Sequence, residues 1–174
     1  MKTRISKLTS GSVLLGIAAL TALSFASAQA ADENQSSGPH LRGVWRTMVT
    51  PIDCVTGGEL APPFNGLFTF NKGGTMSEYG ISSLGGTPAL RSPGHGTWQR
   101  EGGQNYSFKF IFYRYDSTGL FIGWQQITAA LVLGAGGDDF TTASNIEIFD
   151  ANGNLIGTGC ATAAGTRFEQ KPAP

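Results

Sequence analysis

Charge is scarce in this chain: twelve Lys and Arg face twelve Asp and Glu in 174 residues. So few cations make no basic patch, which argues against a nucleic-acid backbone as partner and against a polybasic grip on anionic lipid. Histidine is nearly missing too. His40 and His95 are the only two, and neither lies near a cysteine in sequence, so there is no metal-ligand spacing and no cofactor motif. His95, in Ser92-Pro93-Gly94-His95-Gly96, falls at a loop-to-strand junction, where a surface or capping role is commoner than catalysis. No serine has a G-x-S-x-G setting, and no acid–base partner for His95 is signalled. Asp150-Ala151-Asn152-Gly153-Asn154 opens like a calcium loop. Leu155 then stands where that loop needs Gly and Ala161 where it needs Glu, so the stretch reads as a hairpin turn. These absences lean against an enzyme and against a metal protein.

One long apolar run is present. Val13 to Leu23 is almost wholly apolar, preceded by Lys2, Arg4 and Lys7 and followed by Ala28-Gln29-Ala30. A positive start, a short apolar middle and a small-residue exit make a secretory signal over residues 1–30, with cleavage expected after Ala30. A bilayer core takes roughly 20 apolar residues, so the run is too short for a spanning helix. No cysteine near the exit offers a lipid anchor, and no later stretch is apolar enough for a membrane helix. The expected location is periplasmic or secreted. All twelve acidic residues and nine of the basic ones follow Ala30, which leaves a mature chain of 144 residues at a net charge of −3. That length predicts one domain.

Cys54 and Cys160 are the only cysteines, and an exported chain meets an oxidising compartment. Either they pair with each other or both stay as buried thiols. Pairing would close a loop of about 106 residues, for which loop entropy alone predicts roughly 4–5 kcal/mol of stabilisation. There is no CxxC to suggest thiol chemistry.

No window beyond the signal carries a helical stripe. Tyr106, Phe108, Phe110 and Phe112 alternate with Ser107, Lys109 and Ile111; Phe64, Phe68 and Phe70 repeat the spacing, as do Ile146 and Ile148. Period two with aromatic and β-branched residues is the mark of strands. Between the runs lie Gly- and Asn-rich turns, such as Asn71-Lys-Gly-Gly-Thr75, Glu101-Gly-Gly-Gln104 and Asp116-Ser-Thr-Gly119. The pattern predicts about eight strands, near 42–50, 64–71, 75–83, 95–101, 105–115, 119–133, 139–149 and 154–164. Residues 31–41 read as a flexible arm, 42–167 as the folded domain and 168–174 as a tail. Links this short make neighbours antiparallel, and closing the sheet removes its exposed edges. The predicted fold is all-β, an eight-stranded antiparallel up-and-down barrel, with a β-sandwich as the alternative. On strand six, Leu120, Ile122 and Trp124 differ in parity from Ile127, Ala129 and Leu131, which predicts a bulge near Gln125-Gln126.

Gly43-Val44-Trp45 opens the first strand, and Arg167 follows the last. In this the chain resembles the calycins, the lipocalins and their relatives, whose first strand starts with Gly-x-Trp and whose basic residue after the last strand packs over that Trp. The resemblance implies a lipocalin-like barrel closed at one end by Trp45 and Arg167, with an interior for a small apolar ligand. The chain departs from the family in two places. Only seven residues follow Arg167, too few for a lipocalin's C-terminal helix, and the Thr-Asp-Tyr loop motif is missing. A second Gly96-Thr97-Trp98 also occurs.

An eight-stranded barrel is just wide enough to fill with side chains or to hold one small ligand. Strands two and five send large aromatics to one face, and strand eight offers small residues on both of its faces, Gly157, Gly159 and Ala161 on one and Thr158, Cys160 and Thr162 on the other. The expected function is therefore an exported barrel binding a small hydrophobic ligand, without a cofactor. The candidate ligand-binding residues are Phe68, Phe70, Glu78, Tyr106, Phe108, Phe110, Phe112 and Trp124, with Gln125 and Gln126 as further polar groups. Two other functions remain open. One is a barrel-type cyclase or isomerase resembling allene oxide cyclases and dirigent proteins, with Glu78 or Tyr106 as the reacting group. The other is an interaction or inhibitor protein acting through the long loops at 53–63 and 83–94.

Overall fold

The structure is a computed structural model that describes residues 40–81 and 90–169. The expected signal peptide, residues 31–39 of the expected arm, most of the 83–94 loop and residues 170–174 lie outside the described residues. Eight strands follow one another: β1 Gly43–Ile52, β2 Phe64–Phe70, β3 Thr75–Ile81, β4 Gly94–Gly102, β5 Asn105–Tyr115, β6 Phe121–Leu133, β7 Asp139–Phe149 and β8 Leu155–Arg167. Each pairs antiparallel with the next, and β8 pairs back with β1, so the sheet closes into a barrel in simple up-and-down order. The sandwich alternative is thereby set aside. Closure gives every described strand a neighbour on both sides.

Strict alternation builds the core. In β5, Tyr106, Phe108, Phe110 and Phe112 are buried while Lys109, Ile111 and Tyr113 face outward. Strand β6 answers with Ile127, Ala129, Leu131 and Leu133 inside. Turn chemistry sets the links. Asp150 Oδ1 accepts hydrogen bonds from the backbone N–H groups of Asn152 (2.9 Å) and Asn154 (2.8 Å), so the calcium-like stretch is the β7–β8 turn.

The barrel has two unlike ends. We call "floor" the end that carries the 71–74, 103–104 and 134–138 turns, and "mouth" the end that carries the 53–63, 116–120 and 150–154 links and the approach to β4. At the floor, Trp45 is fully buried, donates its indole N–H to the Leu41 carbonyl at 2.8 Å, and packs on Phe140 at 4.9 Å between ring centroids. The Arg167 guanidinium lies 4.3 Å above the Trp45 ring. It also donates to the carbonyls of Gly137, Arg42 and His40 at 2.6–2.9 Å.

Three local expectations need correcting. Leu41, assigned to the arm, is fully buried in the core. Arg167 ends β8 rather than following it, because Trp45 pairs with it across the sheet. The β6 irregularity falls where Arg114 pairs with Gly123 and Tyr115 with Phe121, so the skipped residue is Ile122 and the Gln125-Gln126 stretch is regular.

Cys54 and Cys160 form a disulfide that spans 106 residues of sequence. Cys160 pairs with Ile52 and Asn145 across the sheet, on the outward parity of β8. The bond therefore ties the β1–β2 link to the outer wall and leaves the interior untouched.

Candidate functional site

Inside the barrel, the floor half is filled. Phe68 meets Phe70, Phe108, Phe110 and Phe140 at centroid distances of 5.7–6.4 Å, and Phe70 meets Phe108 at 5.8 Å. Tyr106 lies beside Trp98 at 5.9 Å. Gly165 makes room for this packing: a Cβ there would come within 2.3 Å of the Phe140 ring. Five of the eight candidate ligand-binding residues, Phe68, Phe70, Tyr106, Phe108 and Phe110, are thus brought together as mutually packed core.

Toward the mouth the interior changes character. Phe112 caps the aromatic column, stacked on Phe110 at 6.5 Å. By strand parity the inward positions here include Gly157 and Gly159 of β8 and Gly80 and Gly94 beside Glu78. Val49, Phe64, Ile146 and Ile148 are inward too, and each is only half-buried. Small residues and half-exposed apolar side chains line this half, in contrast to the dense floor.

Glu78 sits among them at 4% exposure. Its carboxylate occupies space that side chains would otherwise fill, since a Cβ at Gly80 or Gly94 would each lie 2.7 Å from one of its oxygens. Arg91 answers it: Nη1 donates to Oε1 at 3.3 Å, and Nη2 pairs with Oε2. The same guanidinium lies over Phe112, with Cζ 3.4 Å from the ring centroid. Burial pushes the Glu78 carboxyl above its ordinary value; the Arg91 charge and hydrogen bonds oppose this without cancelling it. Replacing such a buried pair by apolar side chains is often neutral or stabilising, so packing stability alone does not explain it.

Arg91 belongs to a short segment that extends β4 toward the mouth. Ser92 N–H donates to the Tyr113 carbonyl and Tyr115 N–H to the Leu90 carbonyl, both at 3.0 Å, and Arg91 forms a bridge with Arg114. Directly bridged residues share a face, and Arg114 is also two residues beyond inward-facing Phe112, so both arginines point inside. The Nη1 atom of Arg114 is buried with no hydrogen-bond partner. Two more inward groups are in the same state, the hydroxyls of Thr47 (4% exposed) and Thr142 (6% exposed).

The remaining candidates separate from this cluster. Trp124 pairs with outward Tyr113 and stacks on Phe149 at 5.1 Å, so it stands on the outer wall rather than in the interior. Its misplacement follows from the bulge, which shifts parity before Trp124 and not after it. Gln125 is inward, paired with Phe112, whereas Gln126 faces out and donates to Glu147 at 2.5 Å. Tyr106 and Glu78 do not converge: Tyr106 lies four residues down β5 from Phe110, whose ring flanks the Glu78 carboxylate at Gly94, roughly 13 Å along the strand. His95 is exposed and pairs with Ser77.

Sequence reasoning missed Arg91, Arg114, Thr47 and Thr142. Arg114 and Thr47 were legible, each lying two residues from an inward aromatic on its own strand. Outside the barrel, the Asp53–Gly57 link and the small outward residues of β6–β8, among them Thr128, Ala130 and Ala143, border an open hollow of about 740 Å³. Among the described residues, no group of three or more His, Cys, Asp or Glu could hold a metal ion. Compared with protein-family models and with curated proteins, the chain matches none.

Proposed function

We propose that this chain is an exported carrier that binds one small, mostly apolar molecule in the mouth half of its barrel. The observation that carries the reading is the split interior. The floor half is packed ring against ring, while the mouth half is walled by glycines and half-buried aliphatic side chains around the Glu78–Arg91 pair. A pocket of mostly apolar walls with a few convergent polar groups is the usual form of a small-molecule site. Phe110 and Phe112 would form its base, and Phe64, Ile146 and Ile148 its sides. The calycin resemblance points the same way, through the Arg167 guanidinium laid over Trp45 in a closed eight-stranded barrel. Export is supported by the signal-like residues 1–30 and by the disulfide, which belongs in an oxidising compartment.

The test is to fill the space from the wall. A Cβ at Gly159 would meet nothing closer than Ile146 at 3.9 Å, so Gly159→Leu is expected to fold and to place a branched side chain in the mouth half. The wild type is expected to bind a neutral naphthylamine fluorophore with enhanced, blue-shifted emission, and Gly159→Leu to lose most of that signal at unchanged Tm. Failure of the wild type to bind the fluorophore, or equal binding by Gly159→Leu, overturns the reading.

A further inference from the structure

The charges inside the mouth do not balance. Among the described residues, three charged side chains face the interior there: Glu78, Arg91 and Arg114. Glu78 is engaged through both oxygens by Arg91, which also covers Phe112, so this pair is complete in itself. Arg114 is left over. Its guanidinium is a cation with five donors, yet Nη1 is buried with no acceptor. A buried cationic donor without an acceptor is costly, and native structures rarely keep one that nothing satisfies. The bridge between residues 91 and 114 also holds the two guanidiniums on one face of adjacent strands. An incoming anion would therefore meet Arg114 directly, with Arg91 beside it.

Resting on the carrier reading above, we propose that the ligand is acid-headed: an apolar body carrying a single carboxylate or phosphate, whose oxygens accept hydrogen bonds from Arg114 at the mouth. A planar guanidinium fits either headgroup through paired N–H donors. The body of the molecule lies against Phe64 and the aliphatic wall of β7, above the Phe112 ring that Arg91 covers. A neutral molecule of the same shape would fill the same space and leave the Arg114 donor unmet, so the site discriminates by headgroup more than by chain.

The experiment uses the disulfide-bonded mature chain, with displacement of the neutral naphthylamine fluorophore by decanoate, decyl phosphate and decanol. Either acid is expected to displace the fluorophore at a concentration roughly tenfold or more below that of decanol, a factor typical of one charge-assisted contact. The better acid identifies the headgroup. Arg114→Met keeps the volume and removes the charge; it is expected to abolish the preference, read as the ratio of the acid and alcohol concentrations needed for displacement, while Arg114→Lys keeps part of it. Equal displacement by acid and alcohol in the wild type overturns the proposal while leaving the carrier reading intact, as does a preference that survives in Arg114→Met. No fluorophore binding at all overturns the carrier reading, and the headgroup proposal falls with it.

Discussion

Replacing Arg91 by Met removes the guanidinium over Phe112 and strands the Glu78 carboxylate, which is 4% exposed and has no other ion-pair partner among the described residues. Removing one member of a buried pair costs about 3–5 kcal/mol, because the remaining charge keeps its desolvation penalty and loses its compensation. For a domain of this size that corresponds to a fall in Tm of roughly 10–15 °C. The cost depends on pH in a definite direction. Burial already raises the Glu78 carboxyl above its ordinary 4.5, and without Arg91 the rise is larger. A carboxyl that binds its proton more tightly in the folded state costs nothing below the unfolded value. It takes stability away as pH rises from about 4.5 through the raised folded value. Urea unfolding of Arg91→Met should therefore show the full deficit near pH 8 and a much smaller one near pH 5. The double variant Glu78→Leu/Arg91→Met should regain most of the loss at both pH values, since it buries neither charge. A deficit independent of pH, or a double variant no better than the single, would refute the reasoning about this pair.

Cys160→Ser should lower stability by about 4–5 kcal/mol on loop entropy for the 106-residue closure, read as a Tm shift that reductant reproduces in the wild type. Gly165→Ala forces a methyl group to 2.3 Å from the Phe140 ring and should cost about 1–3 kcal/mol in urea unfolding, with Gly159→Ala as the tolerated control. The turn carboxylates Asp116 and Asp150 are held below their ordinary value by hydrogen bonds from Thr118 and Asn154 respectively. Their contribution is present above about pH 3.8 and lost as pH falls through the lowered values. Urea unfolding across pH should show Asp150→Ala less stable than the wild type at neutral pH, with the two converging in acid as pH falls through the lowered Asp150 value.

Most of the barrel was legible because its physics is local. Inward Phe110 and outward Lys109 announce a strand by alternation alone, and glycine-rich links at 71–74 and 150–154 state that neighbours are antiparallel. The site was less legible, for three distinct reasons. Arg91 lies in a Gly- and Pro-rich stretch without periodicity, and it reaches the interior only because residues 90–92 pair with Tyr113–Tyr115. Arg114 obeyed the alternation but reads in sequence as a polar interruption, since a charge is not expected inside. Trp124 fell on the wrong face because the parity break lies before it, at Ile122, and not after it at Gln125-Gln126, so Trp124 keeps the outward alternation of Gln126 and Thr128. Periodicity predicts which side a residue faces only up to the nearest bulge, and tertiary pairing predicts the rest.

The Arg167 clasp has an architectural consequence. By gripping the carbonyls of His40 and Arg42 at 2.6–2.8 Å, it brings the first and last described residues of the barrel together at the floor, at the pole opposite the mouth. The chain can be rewired there. A few added residues joining 169 to 40, with new ends opened in the 103–104 turn on the same side, would give a circular permutant with the same wall and an unobstructed entrance. The same geometry lets the barrel be immobilised on a support through either end while its opening stays turned toward solution.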